Sequence, residues 1–120
     1  MNNIIKVAII GLGQVGNFLY RELNLKKNDI ENKTGKKIQI VAISAKNINK
    51  KRKYKINKNI FYTDPIKIIT KIKPDILFEV IGLSDGVSKK VVETALKNQI
   101  HVITPNKALI SKHGDYLGKL

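Results

Sequence analysis

The sequence contains no cysteine and no tryptophan, one methionine and only three prolines. Without cysteine, neither disulfides nor thiolate metal sites can form. The two histidines, His101 and His113, stand alone in the chain and do not make a metal site. No apolar run approaches the ~18 residues of a membrane span, so no membrane partner is expected. The apolar run near the N-terminus is interrupted by glycines at once and lacks the signal-peptide pattern. A cytoplasmic location is the default expectation. Acidic residues are scarce: nine Asp and Glu stand against 23 Lys and Arg, a formal charge of +14. Arginine is nearly absent too, with Arg21 and Arg52 the two examples and lysine supplying the rest. Arginine is the residue suited to bidentate phosphate and base contacts. Aromatics make up 6% of the chain and are not interleaved with the charges as a stacking surface requires. The charge therefore reads as a solvated lysine surface in a composition rich in Lys, Ile and Asn, of the kind AT-rich codons produce. A nucleic-acid partner is not expected.

A chain of 120 residues is long enough for one domain with a core of its own. Its apolar pattern alternates between strand and helix. Ile4–Ile10 is a nearly continuous apolar run, suited to a strand buried on both faces. Val15, Phe18, Leu19 and Leu23 recur at helical spacing, which predicts a helix from about Gln14 to Leu25. The polar stretch Lys26–Lys37, with Gly35, predicts a loop, and Ile38–Ser44 a second strand. Lys46–Asn59 is strongly basic with little apolar pattern, an exposed segment expected to be mobile in part. Ile60–Tyr62 is a short strand candidate. Thr63 or Asp64 can cap a helix with Pro65 at its first position and Ile66, Ile69 and Ile72 on its apolar face. Pro74-Asp75 ends it. Ile76–Ile81 is the next strand. Ser84 or Asp85 caps a helix to about Lys97 with Val87, Val91, Val92 and Leu96 inward, and Ile100–Ile103 is a further strand. Thr104–Lys107 turns the chain, and Ala108–Leu120 is helical in pattern with a break at Gly114. Such alternation predicts an α/β fold with a doubly wound parallel sheet and right-handed crossovers.

The strongest single feature lies between the first strand and the first helix. Gly11-Leu12-Gly13-Gln14-Val15-Gly16 is G-x-G-x-x-G in its strand–helix context, the signature of a Rossmann-type dinucleotide site. Gly11 allows the sharp turn, Gly13 lets backbone N–H groups approach a pyrophosphate, and Gly16 lets the helix pack on the strand. The helix N-terminus then offers unpaired N–H groups and partial positive charge to the phosphates. A glycine-rich turn with no ligand is the alternative. An NAD-type site carries an acid near the end of the second strand for the ribose 2′-hydroxyl. Here that strand ends Ile43-Ser44-Ala45-Lys46-Asn47, with Lys46 where a cation would meet a 2′-phosphate and Lys50, Lys51 and Arg52 close behind. NADP is favoured over NAD as the cofactor.

A second constellation follows the last strand. Lys107 stands at the start of a helix, where the dipole disfavours a cation, and at the carboxyl end of a parallel strand, where ligands of such sheets bind. With these residues the chain resembles the amino-terminal NAD(P)-binding domain of homoserine dehydrogenase. The resemblance covers nearly the whole chain. It rests on the stretches Ile9–Gly16, Val41–Arg52, Phe78–Gly82 and Val102–Leu109. The last is the most specific, a T-x-N-K-A-like turn (Thr104-Pro105-Asn106-Lys107-Ala108) before a helix ending in His113-Gly114. The family commonly has a second glycine where this chain has Leu83, and an Arg-Asp pair where it has Lys46-Asn47.

The resemblance implies a cofactor site of Gly11, Leu12, Gly13, Gln14, Val15, Gly16 and Lys46, with Gly82, Ser84, Asn106 and Lys107 as further contacts. It implies a catalytic role for Lys107 where cofactor and substrate meet. Ser84 can also serve simply as a helix cap. Glu79, at the end of an inner strand, is expected to hydrogen-bond nearby backbone. The implied reaction is the NAD(P)-dependent interconversion of L-homoserine and L-aspartate 4-semialdehyde, in threonine and methionine biosynthesis, by a homo-oligomeric parent. The family's substrate-binding domain is expected beyond Leu120, so residues 1–120 alone are expected not to oxidise homoserine. A stand-alone dinucleotide-binding module without catalysis is the alternative from another class, and a basic nucleic-acid-binding domain a weaker one.

Overall fold

The apolar run at the start of the chain forms strand β1 (Ile4–Ile10) in the middle of a five-stranded sheet. The structure is a computed structural model and describes residues 3–81 and 87–104. Helix α1 (Gln14–Thr34) leads to β2 (Lys37–Ser44). An irregular segment and a 3-10 turn, Lys58–Ile60, precede the short β3 (Phe61–Tyr62). Helix α2 (Pro65–Lys67) passes directly into a π-helical turn, Ile68–Ile72, before β4 (Ile76–Glu79). Helix α3 (Val87–Lys97) and β5 (His101–Ile103) follow. The strand order is β3-β2-β1-β4-β5, and every pairing is parallel. This is the doubly wound arrangement expected from the alternation of elements, with the chain reversing direction across the sheet at β1.

Alternate residues of the central strands sort into two apolar layers. Ala8, Ile10, Ala42 and Leu77 pack with Ile68 and Ile69 after α2 and with Val91 and Ala95 of α3. Ile9 and Ile43 pack with Leu12 and Tyr20 beneath α1. Register along β1 and β2 shifts between Val7 and Ala8: Val7 faces Ile40, and Ala8 faces Ala42. The extra residue, Val41, lies on the same side of the sheet as Ala42, the signature of a bulge.

Several elements differ from the sequence expectation. Helix α1 continues through Thr34, nine residues beyond the apolar pattern that ended at Leu25, and stops at Gly35, which has φ 75°. Residues 26–34 are Lys, Asn, Asp, Glu and Thr with a single Ile. They carry no buried face, so periodicity is silent there, yet several are good helix formers. Val15 and Phe18, expected inward, are 59% and 58% exposed, and the buried positions are Gly16, Asn17 and Tyr20. Val87 is likewise exposed, whereas Ser88, Val91, Val92 and Ala95 face the core. The expected cap does form: the Asp64 side chain accepts from the Ile66 N–H with Pro65 at the first position. The π turn widens the helix so that the consecutive Ile68 and Ile69 are both fully buried; its wide ring closes with Lys73 N–H on the Ile68 carbonyl at 3.0 Å.

Candidate functional site

At the carboxyl edge of the sheet, Tyr62, Ser44, Ile10 and Glu79 stand side by side across β3, β2, β1 and β4. The glycine-rich loop leaves from this row. Gly11 has φ 102°, and its N–H donates to the Ser44 carbonyl at 2.8 Å. A Cβ on Gly11 would lie 2.9 Å from the carbonyl carbon and oxygen of Val80. A Cβ on Gly16 would collide with the Gly11 carbonyl oxygen. Those two glycines thus let α1 sit directly on the strand ends. Gly13 is different. A Cβ there would meet nothing within 4 Å, so its missing side chain serves no packing within the described residues. Gly13 is also the N-cap of α1, with no side-chain cap bond and no acid in the first turn. The first N–H groups of a helix have no intrahelical acceptor, and the space beside Gly13 is open. Leu12 is buried in the apolar layer below, and Gln14 and Val15 are exposed. The residues fit an anionic group held at this helix start.

Beside this opening runs a cleft of about 500 Å³. One wall is the start of α1, with Gly13, Gln14, Phe18 and Arg21; the other is the basic segment 50–54. This segment is largely exposed, as expected. It is also tied to α1 and to the glycine loop. Asn17, 7% exposed, donates from Nδ2 to the Tyr54 carbonyl (2.9 Å) and accepts the Tyr54 N–H at Oδ1 (3.0 Å). The Tyr20 hydroxyl accepts from the Asn57 N–H at 3.0 Å, and the Tyr20 and Tyr54 rings meet edge-on at 5.7 Å. The Arg52 guanidinium donates to the carbonyls of Leu12, Asn47, Ile48 and Lys50. Lys46 is exposed two residues beyond β2 and does not line this cleft. Glu79 is fully buried. It accepts the Ile81 N–H at Oε2 (2.7 Å), the backbone contact expected of it, and also the Thr104 hydroxyl at Oε1 (2.9 Å), which joins the ends of β4 and β5. Gly82, Ser84, Asn106 and Lys107 lie outside the described residues. Among the described residues no group of three or more His, Asp or Glu is placed to hold a metal ion.

The roles of Asn17, Tyr20 and Arg52 were not read from the sequence. Asn17 and Tyr20 are polar groups three residues apart beside the glycine loop, a pattern that can mark a helix face bonded to a neighbouring loop. The rarity of arginine in this chain was the one signal for Arg52.

The family model for the NAD-binding domain of homoserine dehydrogenase matches residues 11–120. The chain belongs to this family. Membership makes it a nicotinamide-dinucleotide-binding domain, and G-x-G-x-x-G opens the matched region. Homoserine dehydrogenase of Bacillus subtilis is 28% identical over 113 residues, 94% of this chain and 26% of the relative. That of Methylobacillus glycogenes is 32% identical over 107 residues, 89% of this chain and 26% of the relative. The crystal structure of homoserine dehydrogenase from S. aureus at pH 7.5 superposes with a TM-score of 0.88 at 31% identity, covering 97% of this chain and 30% of that one. The chain thus spans about a quarter of the length of the curated homoserine dehydrogenases it matches. A hyperthermophilic archaeal homoserine dehydrogenase in complex with NADPH shares the fold at 20% identity and a TM-score of 0.68. No helix among the described residues is long and apolar enough to cross a membrane.

Proposed function

We propose that this chain holds NAD(H) or NADP(H) for the interconversion of L-homoserine and L-aspartate 4-semialdehyde, as one part of a longer enzyme. The observation that carries the reading is the empty space before Gly13, between an uncapped helix start and a basic wall. Backbone N–H groups there take the pyrophosphate. The cofactor, once bound, supplies the hydride chemistry. The chain's own part is to fix the dinucleotide on the glycine loop, close the adenosine side with residues 50–54, and keep the carboxyl ends of β4 and β5 in place through Glu79.

NADP is the proposed preference. Arg21, Lys50, Lys51 and Lys53 surround the cleft, and Lys46, two residues beyond β2 and off the cleft wall, is a further proposed cation. Gly82, Ser84 and Asn106 are proposed cofactor contacts. Lys107 is proposed to stabilise negative charge developing on the substrate oxygen, while substrate contacts come from the part of the relatives' length that this chain does not span. Titration with NADPH and NADH tests the first half. Tighter binding of NADPH, weakened by Lys50→Ala combined with Lys53→Ala, is expected. Binding lost for both nucleotides in Gly13→Val is expected as well. Lys107→Ala in the full-length enzyme tests the second half: kcat for homoserine oxidation falls while cofactor Kd stays near its original value. Full activity in that variant would remove Lys107 from the mechanism, and homoserine oxidation by residues 1–120 alone would overturn the division of labour.

A further inference from the structure

We propose that Arg52 is a positioning residue that sets the affinity of the site for the dinucleotide without choosing between its two forms. The inference rests on the dinucleotide reading above. Arg52 is a conspicuous candidate for a phosphate ligand, since it is one of two arginines in the chain and lies on the cleft wall. Its hydrogen bonds argue otherwise. Nε donates to the Leu12 carbonyl (3.3 Å), Nη1 to those of Ile48 (3.3 Å) and Lys50 (3.0 Å), and Nη2 to that of Asn47 (2.8 Å). A guanidinium has five N–H donors, so four are committed to backbone carbonyls and one remains. A bidentate grip on a phosphate needs two parallel donors, and Arg52 cannot offer them without opening this arrangement.

What the arrangement does is join two loops. Ile48, Lys50 and Asn47 belong to the basic segment, and Leu12 belongs to the glycine-rich loop between Gly11 and Gly13. No peptide bond among the described residues is cis, and in a trans peptide the C=O and the following N–H point in opposite directions. Holding the Leu12 carbonyl therefore turns the Gly13 N–H away from the basic segment and fixes the peptide plane of the loop. Asn17 supports the same wall from α1 through its paired bonds to Tyr54. The Arg52 bond to Leu12 acts on the loop that every form of the dinucleotide must use, and the Asn17 bonds hold the wall beside it; neither side chain is itself offered to the 2′ position that distinguishes the two forms. Lysine keeps the charge but cannot reach four carbonyls in a plane.

The test is titration of the protein and its Arg52→Lys variant with NADH and with NADPH, alongside unfolding midpoints to show that both are folded at the temperature used. Arg52→Lys is expected to raise both Kd values about tenfold, the effect of lowering the fraction of protein with the loop in its binding conformation to about a tenth, with their ratio changed less than about twofold. Asn17→Leu, which releases the other contact, carries the same expectation and serves if Arg52→Lys does not fold. A loss confined to NADPH overturns the proposal and makes Arg52 a 2′-phosphate ligand. Unchanged Kd values in a folded Arg52→Lys protein overturn it as well. An unaltered protein that binds neither nucleotide overturns the dinucleotide reading itself, and this inference with it.

Discussion

Two glycines three residues apart in the same motif should respond to alanine in opposite ways. The Cβ of Gly16→Ala would fall on the Gly11 carbonyl oxygen and 3.0 Å from Cγ2 of Val80. Gly11 cannot retreat easily. Its N–H is bonded to Ser44 at 2.8 Å, and the position its own Cβ would take is 2.9 Å from the Val80 backbone. Helix α1 must therefore lift off the strand ends. Overpacking of a well-packed site costs ~1–3 kcal/mol, and a collision with backbone that is itself hemmed in belongs at the top of that range. At 3 kcal/mol the melting midpoint falls by roughly 10–20 °C for a domain of this size. Gly13→Ala places its methyl where nothing lies within 4 Å, at φ −69° and ψ −159°, a backbone open to alanine. The weaker N-cap and the smaller unfolded-state entropy offset one another to within about 0.5 kcal/mol. Its effect falls on the ligand: the methyl occupies the space before the helix N–H groups, and Kd for both NADH and NADPH should rise at least tenfold, ~1.4 kcal/mol or more. Chemical denaturation and nucleotide titration of the two variants decide the matter. A Gly16→Ala protein as stable as the original, or a Gly13→Ala protein that binds as tightly, would refute the assignment of separate roles.

Ile9→Ala, at a fully buried position between α1 and the sheet, should cost about 2–5 kcal/mol in a denaturant titration. Glu79→Leu removes the acceptor of the Ile81 N–H and an acceptor of the Thr104 hydroxyl, and should destabilise the protein by about 1–3 kcal/mol. Glu79→Gln, whose carbonyl oxygen can still take the Ile81 N–H, should lose distinctly less in the same titration.

The sheet and the glycine loop were legible because their residues answer to local rules. Four central-strand residues, Val7–Ile10, are buried and apolar in sequence as in space, and the loop glycines stand in a motif whose spacing is local. The face of α1 was not legible from apolar periodicity, because its rotation is set by Gly16. Bringing that glycine onto Gly11 turns Asn17 and Tyr20 inward and leaves Val15 and Phe18 outside. The second half of α1 has no apolar face to show. The attachment of the basic segment was not legible for a similar reason. Its lysines describe its solvent side, whereas its attachment is made by single groups far apart in sequence: Asn17 to Tyr54, Tyr20 to Asn57, and Arg52 to Leu12. In the candidate site, Gly11 through Gly16 stand out by motif, whereas Lys46, chosen by position after β2, does not line the cleft. The cations that line the cleft depend on the path of the loop between Lys46 and Tyr54, which no local pattern specifies.

The bulge at Val41 gives β2 one spare residue. Pairing with β1 starts at Ile4 opposite Lys37 and ends at Ile10 opposite Ser44, with one residue more on β2 than on β1. The bulge takes up that extra residue, so Ser44 stands opposite Ile10 and its carbonyl accepts from Gly11. Deleting Val41 would remove the bulge and leave Ser44 opposite Ile10, so the mouth of the cofactor loop would keep its register. An inserted or deleted residue in the turn before Lys37 can be absorbed by the exposed end of α1. Chain length should therefore be free to drift before Lys37 and to lose one residue at the bulge, and be held constant from Ala42 to Ser44, where β2 pairs with β1 residue for residue up to the cofactor loop.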